Sequence, residues 1–280
     1  MLSVIMSCYH SNPQYLKESI LSILNQSYSD FEFLIADNES GLNLKDFLSR
    51  FNDSRIRHID NGGNIGPAQS YDKLANLAKG EYIAIQDHDD ISLPKRLELE
   101  KSALDAFPEI QSVSAGIHIF GCKKERNERS SLTPKEICEE LIFWQPIKQP
   151  TFMKRRQFCR NYHYNPYWTI YDYEFWSRTR HIPHYILDYI LLNYRKSALN
   201  SSKERARIIR EEHCALIRRN LALLGIVATF ELCQALDPFN HTQCSERCLK
   251  EFEMNKNHLL RHISEELYLR KLNEIRSKVC

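Results

Sequence analysis

The feature that most constrains the fold is an alternation of short apolar runs with helical segments along the first third of the chain. The runs lie at residues 2–6, 31–36, 55–59 and 81–86, and they are short and do not alternate regularly between apolar and polar residues, although the third also contains Arg55, Arg57 and His58. Such runs are typical of strands that are buried on both faces. A β-α-β rhythm of this kind predicts an α/β fold, with a mainly parallel sheet covered by helices on both faces.

Acidic side chains follow the fourth run, where Asp87, Asp89 and Asp90 supply three carboxylates. Carboxylate oxygens suit hard divalent cations. Tyr9 and Asp37 follow the first two runs, and the carboxyl ends of parallel strands share one edge of a sheet. The acids alone would more often form a solvated turn, but their convergence with the other two strand ends predicts a metal-assisted site for a phosphate-bearing substrate.

The composition argues against several classes of protein. A net charge of +2 gives no support to nucleic-acid binding. The longest nearly uncharged run, residues 221–230, is too short to span a bilayer, so we do not expect an integral membrane protein. Nine scattered cysteines without a secretory signal predict reduced thiols in the cytoplasm, and a zinc site of Cys244, Cys248 and His241 is the less favoured alternative.

Start signals mark two of the helices. Asn12 followed by Pro13 predicts a capped helix start, and Thr133 with Glu136 has the form of a capping box. Residues 149–153 are interpreted as a further strand.

The residue pattern of the sequence changes near residue 202. Residues 184–194 fit either a strand or a helix, whereas the chain beyond residue 202 is charged, amphipathic and without strand patterns. We therefore predict an α/β domain at residues 1–201 and an α-helical extension at residues 202–280. Basic side chains interleaved with apolar ones in the extension indicate packing on the first domain, a homodimer contact or docking on a membrane surface.

Several short motifs resemble, in the same order, those of the inverting glycosyltransferases of family 2, which have the GT-A fold. The motifs lie at residues 4–9, 20–28, 33–40, 64–66, 79–83, 87–90, 149–151 and 172–176. One acidic motif alone is common, whereas this many motifs in the expected order are specific. The resemblance covers roughly residues 1–202, and it implies a Rossmann-like GT-A domain ahead of the helical extension.

The resemblance implies that the strand ends bind a nucleotide-sugar. Tyr9 would stack on the uracil ring of a UDP-sugar, and Asp37 would accept a hydrogen bond from the uracil imide N–H. Asn64, Gly66 and Asp87 are assigned to the same site, with Asp87 contacting the ribose or helping to bind the metal.

The resemblance also implies a metal site. Asp89 would coordinate Mn²⁺ or Mg²⁺ at the diphosphate, with Asp87 as a further ligand, so that the cation neutralises charge on the leaving UDP. Asp90 is expected to support the turn. The family commonly has a His after its late Tyr-Arg pair, but Lys196 follows Arg195 here. The third metal ligand is therefore not identified, and Lys196 is an alternative contact for the diphosphate.

Asp172 lies where the family has its catalytic base, which takes the proton of the acceptor hydroxyl while that oxygen attacks the anomeric carbon. A role of Asp172 as a helix N-cap is an alternative. Glu174, Trp176 and Gln149 are assigned to the acceptor site, and a position in the core is the alternative for Trp176. Glu174 is the less favoured base, because within a helix it would point away from Asp172.

The expected activity is metal-dependent, inverting transfer from a UDP-sugar to a hydroxyl of a bacterial surface glycan or glycolipid, with N-acetylglucosamine or a hexose as the sugar and a β linkage as the product. Such an enzyme would be cytoplasmic, or peripheral on the cytoplasmic face of the inner membrane. A sugar-nucleotide-binding scaffold without turnover is the alternative. A nucleotidyltransferase is disfavoured, because residues 7–13 hold neither Gly nor Lys for a phosphate-binding loop.

Overall fold

The computed structural model describes residues 1–196, 205–241 and 243–279. The chain forms two compact units, each of which is discontinuous in sequence. Unit 1 comprises Met1–Ser131, Ile147–Pro166 and Pro183–Leu199, and unit 2 comprises Leu132–Pro146, Tyr167–Ile182 and Asn200–Cys280.

The predicted domain boundary between residues 201 and 202 lies outside the described residues. Unit 2 nevertheless includes two segments that the predicted boundary places in the first domain. Their apolar side chains explain this membership, because Ile142 and Phe143 are buried in the same cluster as Ile217 and Leu221.

Unit 1 contains the sheet, which has nine strands among the described residues. They are β1 (Leu2–Cys8), β2 (Phe31–Asp37), β3 (Ile56–Asp60), β4 (Tyr82–Ile85), β5 (Ile91–Ser92), β6 (Ser112–Phe120), β7 (Arg126–Glu128), β8 (Met153–Arg155) and β9 (His184–Arg195). The order across the sheet is β3-β2-β1-β4-β8-β6-β9-β5, and β7 pairs with β6.

The sheet is parallel in its first half and mixed in its second. Strands β1 to β4 pair in parallel, as predicted. Strand β8 runs antiparallel to both β4 and β6, whereas β6 and β9 are parallel. A 3₁₀ turn at Gln149–Thr151 leads into β8. The α/β class is confirmed, while the expected mainly parallel sheet is mixed and the strand expected at residues 149–153 begins only at Met153.

The described residues form twelve α-helices. They are α1 (Pro13–Leu24), α2 (Leu44–Ser49), α3 (Pro67–Leu77), α4 (Arg96–Ala106), α5 (Pro134–Glu140), α6 (Arg156–Asn161), α7 (Tyr171–Arg178), α8 (Ala206–Leu223), α9 (Phe230–Leu236), α10 (Glu246–Met254), α11 (Lys256–Leu259) and α12 (Glu265–Arg276). Both predicted helix starts are confirmed. The Asn12 side chain accepts two backbone N–H bonds ahead of Pro13, and Thr133 and Glu136 make the reciprocal bonds of a capping box.

Helices cover both faces of the sheet in unit 1. Successive residues of a strand point to opposite faces. Leu2, Val4 and Met6 pack with apolar side chains of α1, α2 and α4. On the other face, the Ser7 hydroxyl donates to the Ser70 hydroxyl of α3 over 2.7 Å.

Unit 2 is built from α5, α7 and the five helices after Arg205, so the helical character predicted for the end of the chain is confirmed. No helix in the described part of the chain is long and apolar enough to cross a membrane. The eight described cysteines are free thiols.

Candidate active site

The residues predicted to bind a nucleotide lie at one edge of the sheet in unit 1. The strand register pairs Cys8 with Asp37 and Ile5 with Ile85. The ends of β1, β2 and β4 are therefore neighbours, and the residues that follow them emerge side by side. Tyr9 is 39% exposed there, so a face of its ring is accessible to a ligand.

The chain leaves β1 and β2 through turns with unusual backbone angles. His10 has a φ of 42° and Glu39 a φ of 69°, in the left-handed region that residues other than glycine rarely adopt. The N–H of His10 donates to the carbonyl of Glu39 over 3.0 Å, and the N–H of Ser11 donates to the carbonyl of Ser40 over 2.8 Å. These bonds hold the two strand-end segments together, and such strained conformations concentrate at functional sites.

Asp37 uses one carboxylate oxygen to order its own turn. It is half-buried at the end of β2, and its Oδ1 accepts a hydrogen bond from the N–H of Ser40 over 2.9 Å. Its Oδ2 makes no hydrogen bond to the residues that the structure describes. One oxygen therefore points at the local backbone while the other can accept a bond from a ligand.

A buried amide fixes the loop that leads into α3. The side chain of Asn38 accepts from the Asn61 amide over 3.1 Å and from the N–H of Ile65 over 3.0 Å. It also donates to the side chain of Asn64, which accepts the N–H of Gly66 over 2.9 Å. Gly66 begins α3 with a φ of 80°, which glycine adopts without steric cost. The predicted residues Asn64 and Gly66 thus lie in a loop that is tied to the end of β2.

The acidic turn, defined as the four residues from Asp87 to Asp90, follows β4. Asp87 and Asp89 are half-buried, and Asp90 is fully buried. Oδ1 of Asp87 accepts from the hydroxyl of Tyr71 in α3 over 2.7 Å. Oδ1 of Asp90 accepts the N–H of Arg195 over 2.8 Å, while its buried Oδ2 has no hydrogen-bond partner within the described ranges.

The electrostatics of the acidic turn suit a bound cation. Burial raises the pKa of Asp87 and the charge of Asp89 adds to the increase, although the Tyr71 hydroxyl opposes it. Burial, followed by the charges of Asp89 and Asp87, raises the pKa of Asp90 well above its ordinary value. Neighbouring carboxylates disfavour one another's ionisation, and a divalent cation is a large enough local charge to reverse that effect.

A buried polar network supports the acidic turn from within the sheet. The Gln86 amide donates to the carbonyls of Asp87 and Asp90 over 3.1 and 2.9 Å. Its oxygen accepts from Arg96 over 2.9 Å, and Arg96 pairs with Glu100 over 3.1 Å. Arg96 and Glu100 are completely buried. The backbone of the turn is therefore held by Gln86, which directly follows β4, and Gln86 is held by Arg96 of α4; both side chains are completely buried.

The buried Glu100 predicts a pH-dependent stability. Burial raises its pKa to about 7 against the pull of Arg96. The folded state then binds this proton more tightly than the unfolded chain, so the contribution to stability is complete below about pH 4.5 and is lost as the pH rises through about 7. Glu100→Gln should flatten the dependence of the unfolding free energy between pH 5 and 8, by at most about 3 kcal/mol over that range.

Urea unfolding at four pH values measures this effect. Glu98→Gln is the matched control, because Glu98 lies in the same helix and is exposed. Equal pH slopes for the wild type and Glu100→Gln would show that Glu100 is ionised in the folded protein.

Asp172 lies in unit 2 as the second residue of α7, where it is half-buried. Its Oδ2 accepts from the Gln145 amide over 3.1 Å, and its Oδ1 accepts the N–H of Tyr173 over 2.9 Å. The N-cap of α7 is Ile170, so the alternative role of Asp172 as an N-cap is wrong. Two donors orient a carboxylate that keeps access to solvent.

The three residues assigned to the acceptor are buried. Trp176 has no exposed surface, and Gln149 is 7% exposed and donates to a buried tyrosine hydroxyl. Glu174 is 2% exposed, and its Oε1 accepts from Arg178 over 3.1 Å and from Arg219 over 3.0 Å. These partners give Gln149 and Glu174 structural roles, and Trp176 lies in the interior. Burial leaves these side chains little surface for an acceptor to touch, and their assignment to the acceptor site stays a prediction.

Three supporting residues have no recognisable sequence signal. Tyr71 bonds Asp87, Gln145 bonds Asp172, and Arg195 bonds the acidic turn. The bonded residues are 16, 27 and 105 positions apart in sequence, respectively. Only the tertiary structure brings them together.

The fold and the acidic turn together define an α/β protein with a candidate ligand site at the carboxyl ends of its strands. The sequence profile described as Glycosyl transferase family 2 matches residues 3–175. This match covers more than half of the chain, so the chain belongs to glycosyl transferase family 2. The protein is therefore a glycosyltransferase, as predicted.

Two relatives support this assignment. An uncharacterized glycosyltransferase of Methanocaldococcus jannaschii is 32% identical over 206 residues, which cover 70% of either chain. The O-antigen biosynthesis glycosyltransferase WbnJ of Escherichia coli is 30% identical over 216 residues, which cover 70% of this chain and 79% of WbnJ.

Two solved structures share the fold. S. aureus TarS 1–349 in complex with UDP-GlcNAc aligns with a TM-score of 0.61 over 99% of this chain and 89% of TarS, at 14% identity. The mannosyltransferase PcManGT from Pyrobaculum calidifontis, in complex with GDP-Man and Mn²⁺, aligns with a TM-score of 0.60 over 99% of this chain and 86% of PcManGT, at 14% identity. These likenesses confirm the GT-A fold.

Proposed function

We propose that the protein is a metal-dependent, inverting glycosyltransferase that moves a sugar from a UDP-sugar to a hydroxyl of a surface glycan or glycolipid. The observation that carries the proposal is the acidic turn beside the ends of β1 and β2, where Tyr9 and Asp37 emerge. The site thus offers an aromatic ring, a carboxylate and a cation-binding turn. These groups match a planar base, an imide N–H and a diphosphate, respectively.

Donor recognition is proposed to begin with the base. The accessible ring of Tyr9 would stack on uracil, and Oδ2 of Asp37 would accept the imide N–H. TarS binds UDP-GlcNAc in one of the similar structures, which supports a UDP-sugar such as UDP-GlcNAc. The O-antigen relative supports a surface glycan or its lipid-linked precursor as acceptor, and a lipid-linked acceptor would bring the enzyme to the cytoplasmic face of the membrane.

The acidic turn fits a divalent cation by the chemistry of its donors. Asp89 and Asp87 would hold Mn²⁺ or Mg²⁺ through carboxylate oxygens. No three Asp, Glu, His or Cys side chains in the described part of the chain are grouped to hold a metal alone. The proposal therefore gives the remaining positions to diphosphate oxygens and water, as is usual for Mg²⁺ at phosphate substrates. The bound cation would neutralise charge on the leaving UDP.

The proposed base is Asp172. Its carboxylate takes the proton of the acceptor hydroxyl while that oxygen attacks the anomeric carbon, and the bond from the anomeric carbon to UDP breaks on the opposite face. Gln145 and the N–H of Tyr173 donate to the carboxylate and restrict its orientation. Tyr71 holds Asp87 in the same way at the acidic turn.

Thermal-shift measurements with UDP-, GDP-, dTDP- and CMP-sugars, each with and without Mn²⁺, test the donor and the metal together. A UDP-sugar at a hundred-fold excess over its Kd should stabilise the protein by about 2.7 kcal/mol, or about 5 °C, and only when Mn²⁺ is present. EDTA should remove the shift.

Transfer to glycan acceptors, followed by mass spectrometry, tests turnover with the donor selected in that screen. Stabilisation by a GDP- or CMP-sugar instead would contradict the proposed donor. Metal-dependent UDP-sugar binding without transfer to any acceptor would favour a sugar-nucleotide-binding scaffold.

A further inference from the structure

Arg195, the last residue of β9, contacts the acidic turn from a distant part of the sequence. Its backbone N–H donates to the carboxylate of Asp90 over 2.8 Å, and its Nε donates to the carbonyl of Asp89 over 2.8 Å. One residue thus bonds both the side chain of the buried acid and the backbone of the proposed metal ligand.

The guanidinium of Arg195 is itself fixed from three sides. Nη2 pairs with Glu18 of α1 over 2.5 Å. The rings of Tyr15 and Phe120 lie 4.1 and 4.7 Å from the guanidinium carbon. Only 12% of the side chain is exposed. Because an ion pair and two aromatic faces restrict its rotation, the guanidinium is a rigid donor.

A rigid donor matters at this position because the acidic turn carries three neighbouring carboxylates. Their repulsion favours conformations in which the acids separate. The bond to the carbonyl of Asp89 opposes that movement and fixes the peptide from which the Asp89 side chain projects. Arg195 also places a positive charge beside the turn, whereas Gln86 supports it only through neutral bonds.

We propose that Arg195 is a positioning residue, which holds Asp89 in the orientation that binds the divalent cation. This inference rests on the proposed function of the acidic turn. The planar fork of arginine bonds the Asp89 carbonyl through Nε and Glu18 through Nη2 at the same time, which the single ammonium of lysine cannot reproduce between two aromatic rings.

Calorimetric titration of UDP in the presence and absence of Mn²⁺, with electron paramagnetic resonance of the bound Mn²⁺, tests the proposal on the intact chain. Arg195→Ala should weaken Mn²⁺-dependent UDP binding by about 10- to 100-fold, as is usual when a partner of a metal ligand is removed. The weak binding of UDP that remains without metal should be the same in the variant and the wild type. In the presence of Mn²⁺, the Arg195→Lys variant should bind UDP with an affinity between those of the wild type and Arg195→Ala.

Arg55→Ala is the matched control. Arg55 also pairs with a carboxylate (Asp53), bonds a carbonyl (Leu24, 3.0 Å) and lies over an aromatic ring (Phe31, 4.5 Å), but it does not contact the acidic turn. The Arg55→Ala variant should be less thermally stable than the wild type but should bind UDP in the presence of Mn²⁺ with the same affinity.

Different results would contradict the positioning role of Arg195 and the proposed function of the protein. Wild-type affinity in Arg195→Ala, or an equal loss in Arg55→Ala, would contradict the positioning role alone. A wild-type protein that binds no UDP in the presence of Mn²⁺ would contradict the proposed function and this inference with it.

Discussion

Replacing Asp172 with Asn should lower kcat by about 10²- to 10⁴-fold while the affinity for the donor stays the same. Asparagine is nearly the same size and can keep the bond from the N–H of Tyr173, so α7 should form as before. It cannot take a proton at neutral pH. The loss should therefore fall on the chemical step, because the proposed base touches the acceptor hydroxyl and not the nucleotide.

Steady-state kinetics with saturating donor, together with UDP-sugar binding by calorimetry, separate these effects. Asp188→Asn is a suitable control, because the Asp188 side chain is 55% exposed and its ion pair with Arg129 is long, at 3.7 Å. More than about a tenth of wild-type kcat in Asp172→Asn would rule out general-base catalysis by this residue. A simultaneous loss of donor affinity would indicate a structural effect instead.

The first half of the fold was predictable because its signals are local. Each apolar run between residues 2 and 86 forms a strand of the parallel half of the sheet, and Asn12 caps the first helix as its sequence indicates. The second half depends on pairing between distant segments. Met153 of β8, for example, pairs with Ala84 of β4 and Val113 of β6, and both partners lie far from it in sequence.

The candidate site was predictable only where its residues follow strands. Tyr9, Asp37 and Asp89 can be located from the sequence because the sheet edge collects strand ends. The buried residues that support the acidic turn cannot be located in this way, because a charged residue in a sequence normally indicates a solvated surface. Arg96 and Glu100 have the spacing of an exposed helical ion pair, yet both are completely buried beneath the acidic turn.

The segment around Asp172 shows why the acceptor residues could not be assigned. Asp172, Glu174 and Trp176 lie within one helix of eight residues, and only packing decides which of its faces is buried. Glu174 is buried because Arg219, 45 positions later, neutralises it. The sequence motif therefore locates the helix but does not show which of its faces remains accessible.

Asp89→Asn should reduce kcat/KM by about 100-fold or more, and excess Mn²⁺ should restore part of the loss. A bound cation contributes several kcal/mol of charge stabilisation, and each 1.4 kcal/mol or so is a factor of ten. Asparagine keeps a carbonyl oxygen but loses the charge, so it should bind the cation weakly rather than not at all.

Asp90→Asn should instead keep the Mn²⁺ dependence of the wild type, because Asp90 is buried and its carboxylate accepts the Arg195 N–H.

Initial rates across an Mn²⁺ titration distinguish the two acids. His88→Gln is the control within the acidic turn, because His88 is half-buried between the two predicted metal ligands and has no proposed role. A rightward shift of the Mn²⁺ curve in Asp89→Asn alone would identify Asp89 as the ligand. If Asp90→Asn shifted the curve and Asp89→Asn did not, the buried acid would be the ligand and the turn would have to open to bind its cation.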